Sequence, residues 1–124
     1  MTKQPRIIQN SNVPQITVFE ASFDSEPERL DNLILHVVDE TLQSVFEEAG
    51  VKVIYRYMEK KCRLKREEIP KKPEIFSTSL SRILDSAAPV IENLILKNLH
   101  RELHLKFEEK EGYVFPDYIK ELRR

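Results

Sequence analysis

A chain of 124 residues has room for one domain with a single core of several helices. A formal net charge of -1, with 40% apolar and 33% charged residues, excludes a uniformly basic nucleic-acid binder and places the chain among charged soluble domains. Two Gly in the whole chain argue against an all-β fold, whose tight turns need more. Cys62 is the single cysteine, so no intrachain disulfide forms and a reducing compartment is expected. No run approaches the ~18 apolar residues of a membrane helix. The opening Met-Thr-Lys-Gln-Pro-Arg is not followed by an apolar secretory core, so a cytoplasmic location is expected, with no membrane partner.

Residues 1–24 are the least helical part. Pro5 and Pro14 interrupt them, and residues 9–12 are a polar loop run. They read as an extended arm that docks on the body or on a partner; a short edge strand over 15–20 is the alternative. The first helix starts at Ser25, which stands three residues before Glu28 with Pro27 in the first turn. Leu30, Leu33, Ile34, Val37, Val38, Leu42, Val45, Phe46 and Ala49 form one broad apolar face, and Gly50 is placed to end the helix. A second helix runs from Val51 to about Cys62 on Ile54, Met58 and Cys62. The short gap between the two predicts a corner or a hairpin. Pro70 and Pro73 then lock a connection.

A third helix spans about Pro73 to Asp85, with Ile75, Phe76, Leu80, Ile83 and Leu84 inward. The most apolar long segment comes next, from Ser86 to Leu105, with Ser86 as its cap and Pro89 in its first turn. Val90, Ile91, Leu94, Ile95, Leu99 and Leu103 recur at helical steps, and Leu96 widens the stripe. This helix is expected to be the spine on which the others pack. Leu103, Leu105 and Phe107 then alternate with His104 and Lys106, which predicts a small β-hairpin over 103–115 with Gly112 at its turn. The alternative is a helix that frays into a loop, with Phe107, Tyr113 and Phe115 tucked onto the core. A last short helix begins at Pro116, with Tyr118, Ile119 and Leu122 inward.

The unusual feature is the charge layout. Residues 18–50 carry nine Asp and Glu against one Arg, and residues 51–72 carry nine Lys and Arg against three Glu. The acidic candidates for an interaction face are Asp39, Glu40, Glu47 and Glu48. The basic ones are Lys52, Arg56, Lys60, Arg63, Lys65 and Arg66. The plain reading is that acidic and basic helices complement each other, within one chain or across a symmetric dimer. The sharper one is a nucleic-acid face on the second helix. Against it, the third helix has Arg82 as its lone basic residue, with Glu74 at its start, and makes a poor recognition helix.

Little points to chemistry. His100 and His104 stand four apart, a spacing that brings two imidazoles to one helical face, so they are the weak candidates for a metal. The zinc-protease pattern needs Glu directly after the first His, whereas Glu102 is two residues on, and no third ligand is evident. Lys60, Lys61, Arg63 and Lys65 around Cys62 favour a thiolate, but a small, partly buried hydrophobe is its plainer role. No Gly-rich loop cradles a phosphate and no nucleophile motif stands out. An enzyme and a bound cofactor are not expected.

One stretch resembles a family. From about Leu33 to Leu122 the chain is similar to small archaeal domains of the Nitrosopumilus output-domain type. The likeness rests on Asp39-Glu40, Ile54-Tyr55 with Met58-Glu59-Lys60, and Leu64 through Pro70. It continues in Pro73-Glu74-Ile75-Phe76, Ala87-Ala88 before Ile91-Glu92, Phe107 through Lys110, and Phe115-Pro116-Asp117-Tyr118. Where that pattern favours Gly near the end of the third helix, this chain has Asp85-Ser86-Ala87. The resemblance implies an archaeal, non-enzymatic helical module near sensory proteins and carries over no site residues.

Together these readings predict an all-α domain of four main helices and a short C-terminal helix. The expected role is a non-catalytic protein-interaction module in a signalling or regulatory setting, self-associating as a homodimer. A DNA-binding regulator using the basic second helix is the alternative.

Overall fold

The computed structural model describes residues 26–123. The expected arm, its edge strand and the Ser25 cap fall outside that range. The chain divides into two compact units, 1–30 and 31–124. Of the first, only the opening turn of a helix is described. The second holds the buried apolar residues of the described chain.

Among the described residues the fold is all-α. Helix α1 is Glu26–Cys62, α2 is Pro73–Leu84, α3 is Ala88–Glu102 and α4 is Phe115–Leu122, with 3-10 turns at Arg66–Lys71 and Asp85–Ala87. The expected first and second helices are the two limbs of α1. They are separated at Glu47, whose φ of 62° and ψ of 173° are not helical. An unbroken helix would hold Asp39 and Tyr55, sixteen residues apart, roughly 24 Å from each other. The Tyr55 hydroxyl instead donates a hydrogen bond to Asp39 Oδ1. The limbs therefore fold back on each other as a helical hairpin.

The break lies three residues before the expected stop at Gly50, and Gly50 has a different task. A Cβ placed there would lie 3.0 Å from the Cβ of Phe46, an atom that moves only with its backbone. Gly50 is needed for close approach across the turn, while Glu47 holds the positive φ that a side chain disfavours.

The hairpin buries Ile34, Val37, Val38 and Leu42 from its first limb and Val51, Ile54 and Met58 from its second. The second limb ends with Arg63 at φ 55° and the Leu64 N–H donating to Met58 O at 3.1 Å, a turn that returns buried Leu64 toward the core. In the next turn Glu68 accepts from the Lys65 N–H at 2.9 Å, and Ile69 and Pro70 are buried. Helix α2 packs on α3 and on α4, and Phe76 meets Phe115 with ring centroids 5.7 Å apart. Arg123, after α4, closes the body: it donates to Asp31 Oδ1 at 2.5 Å and to Pro70 O at 2.7 Å.

Three expectations change. The face α3 buries is Ala88, Ile91, Ile95, Leu96, Leu99 and His100, whereas Val90 and Leu94 are 60% and 38% exposed. Apolar residues cover more of this helix than its neighbours do, so the covered side is chosen by packing. Ser86 does not cap α3: it lies in the 3-10 turn, entered by Asp85 at φ 52°, and the residue before the helix makes no side-chain cap. The β-hairpin over 103–115 is not found. Leu103–His104 and Glu111–Gly112 are turns and no strand lies between them. His104 takes φ 58°, its N–H donates to Arg101 O at 3.0 Å, and the Leu105 N–H donates to His100 O at 2.8 Å. That paired arrangement ends a helix and sends the chain off as a loop. Phe107 stacks near His100 and Tyr118, at 5.0 and 5.4 Å, so aromatic packing replaces the ladder.

The strained conformation at Glu47 makes a prediction that a break at Gly50 does not. Glu47→Gly is expected to raise stability by about 1 kcal/mol, because it removes strain at a position that is not helical. A denaturant titration reads it, and a lower midpoint would place the break elsewhere.

Candidate functional site

The acidic and basic candidates come together first within the chain. Arg66 grips Asp39 with two hydrogen bonds, from Nε to Oδ1 at 3.1 Å and from a terminal nitrogen to Oδ2, while Tyr55 donates to Oδ1. Burial raises the Asp39 carboxyl, but the bonds from Arg66 and Tyr55 and the Arg66 charge outweigh it and hold Asp39 below its ordinary value. Burial, then the bond to Asp39, pushes the Tyr55 hydroxyl well up, so it stays protonated as a donor. The bond to Asp39 likewise raises Arg66. This triad fastens the first limb of α1 to the second and to the 3-10 turn. Asp39 and Arg66 thus engage each other within the fold.

The other candidates stay at the surface. Glu40, Glu47, Glu48, Lys52, Arg56, Lys60, Arg63 and Lys65 are all exposed. Glu40 lies 3.3 Å from His36 and Glu48 lies 3.9 Å from Lys52, weak exposed pairs one helical turn apart. Lys52, Arg56 and Lys60 recur at four-residue steps on the second limb and share a face. Arg63 falls off that line, because the helix has ended and its backbone is left-handed. Sequence periodicity missed the neighbouring feature. Val45, Ala49 and Val53, counted toward the core or left unassigned, are exposed around the break, Val45 at 44% and Val53 at 61%.

The histidines do not form a site. His104 lies past the end of α3 in the turn, so the two rings do not share a helical face. His100 is buried and its Nδ1–H donates to Leu96 O at 2.8 Å. Cys62 is half-buried at the end of α1. Among the described residues no three His, Cys, Asp or Glu side chains gather as a metal-ligand set, and no helix is long and apolar enough to cross a membrane.

A groove of about 330 Å³ opens between α3, the loop after it and α4, lined in part by Glu92, Asn93, Leu96, Lys110, Tyr113 and Tyr118. Glu92 is half-buried and its Oε2 accepts from the Ser77 hydroxyl of α2. Burial raises its carboxyl, and the Ser77 bond opposes this only in part. Tyr118 is fixed by the Lys110 N–H, which donates to its hydroxyl at 2.8 Å, and its ring meets Tyr113 at 5.0 Å. The sequence places Tyr118 inward, and its loop alternative tucks Tyr113 onto the core, but it does not single out Glu92 as a site residue.

Because Asp39 is held below its ordinary value of 3.8, the stability it contributes is present above that pH and lost as pH falls through the lower folded value. Asp39→Asn is expected to cost about 1 kcal/mol near neutrality, a charge-assisted bond discounted for the exposure of Arg66. The gap to wild type should narrow on acidification to about pH 3 in chemical denaturation, and a constant gap would contradict this account. No family model, no curated protein and no solved structure matches the chain.

Proposed function

We propose that this chain is a non-catalytic helical interaction module that self-associates through the turn end of the α1 hairpin. The observation behind this reading is the exposed residues Val45, Ala49 and Val53, interleaved in sequence with Glu47 and Glu48 and then with Lys52 and Arg56. Ala49 and Val53 share one face of the second limb, next to the Lys52 and Arg56 stripe. A two-fold axis through such a patch places the acidic group of one copy opposite the basic group of the other. Charge then sets orientation and the valines supply the desolvated centre. The resemblance to archaeal output domains supports a signalling or regulatory setting inside the cell, where such a module would couple one protein to another.

A DNA-binding regulator is the second reading, favoured by Lys52, Arg56 and Lys60 remaining exposed on one face. Glu59 beside them and the engagement of Arg66 by Asp39 weaken it, since both reduce the positive field that phosphates would meet.

Light scattering at micromolar concentration is expected to give twice the chain mass, falling toward the monomer in about 1 M salt. Val53→Asp should give the monomer at all salt concentrations with unchanged helix content. A copy carrying Lys52→Glu and Arg56→Glu should fail to self-associate yet pair with one carrying Glu47→Lys and Glu48→Lys. A monomer throughout would overturn self-association, and salt-sensitive capture of duplex DNA by that monomer would move the assignment to the second reading.

A further inference from the structure

We propose that the groove between α3 and α4 binds an alkylammonium group, as a free amine or as a lysine side chain, with Glu92 as its counter-ion. The site is built from α3, α4 and the loop between them and shares no residue with the hairpin turn. Its volume of about 330 Å³ lies at the small end of ligand pockets, suited to a short alkyl stem.

The electrostatics select a cation. Glu92 is a half-buried carboxylate with one hydroxyl donor, from Ser77, and no ion pair reaches it among the described residues. Burying a carboxylate without a counter-ion is unfavourable, and a bound ammonium would restore the balance. The raised carboxyl of Glu92 is what that uncompensated burial produces. Among the described lining residues the cation, Lys110, is already paired: its Nζ lies 2.5 Å from Glu121 Oε2. Glu109 adds a second acidic side chain to the lining. An anion would meet two carboxylates and a lysine already paired.

The walls fit the same ligand. Lys110 Nζ stands 5.2 Å from the centroid of the Tyr113 ring, so the ring is of a kind that takes an ammonium, and a ligand there would share or displace that contact. Tyr118 is locked by its hydroxyl bond and its contacts with Tyr113 and Phe107, and therefore stands as a fixed aromatic wall. Pro89 and Val114 offer exposed apolar surface to the methylenes. Carboxylate, aromatic wall and apolar floor are the parts an alkylammonium needs.

The test is a backbone NMR titration of the full chain with butylammonium chloride and, separately, with Nα-acetyl-lysine methylamide, against sodium chloride at equal ionic strength. Saturable shifts centred on Glu92, Asn93, Tyr113 and Tyr118 are expected with both probes and not with sodium chloride. Glu92→Gln keeps the size of the side chain and should weaken binding about tenfold. Tyr113→Leu tests the wall independently and should weaken it by a smaller factor with the fold intact. Tighter binding of the lysine derivative would assign the site to a peptide side chain, and equal binding would assign it to a free amine. Shifts matched by sodium chloride, or a Glu92→Gln protein that binds as wild type does, would overturn the proposal.

Discussion

The fold-back of α1 is the constraint on which the rest of the body depends. A helix of 37 residues running straight would span roughly 55 Å and leave its apolar face uncovered over much of that length. Doubling it lets Val38 and Leu42 on one limb and Ile54 and Met58 on the other bury in one core. The turn is held from two directions. At its apex the absence of a side chain at Gly50 lets Phe46 come close. Toward its base the Asp39, Tyr55 and Arg66 hydrogen bonds tie the limbs together. Glu47 carries the backbone strain of that closure, which tertiary contacts sustain and local propensity would not.

The same fold-back explains the charge asymmetry. An acidic stretch followed by a basic one becomes, once folded, two neighbouring limbs of opposite sign. The stability gained is concentrated at Asp39, where burial makes the pairing consequential, and is small at Glu40 and Glu48, where water screens it. The charges that remain exposed are Glu47 and Glu48 at the break and Lys52, Arg56 and Lys60 after it. Asp39 and Arg66 pair within the fold and the other charges stay exposed, a division that residue type alone does not disclose.

The α3–α4 end of the body is organised around a chain of rings. Phe76 meets Phe115, and Phe107 sits between His100 and Tyr118, which in turn meets Tyr113. These contacts hold a loop with no backbone ladder of its own and shape the groove beside Glu92. His100 belongs to this packing through its bond to Leu96, which is why its pairing with His104 in the sequence does not become a pairing in space.

Helix content, the proline-locked connection at Pro70 and Pro73, the start of α4 near Pro116 and the contrast of charge were all legible in the sequence. Each is written in local chemistry: apolar residues at helical spacing, prolines that stop a helix, and charge that can be counted. Tertiary structure decided the rest. It moved the break to Glu47, because close approach at Gly50 involves two helices and not one residue's propensity. It turned α3 so that Leu96 is buried and Leu94 exposed, because the apolar surface is wider than the neighbours that cover it. It replaced the alternating 103–107 segment by a loop, because a strand needs a partner and the aromatic rings supplied one of another kind. It also placed a half-buried carboxylate, Glu92, in a groove, since burial without a counter-ion is a property of what surrounds a residue and leaves no mark in the local sequence.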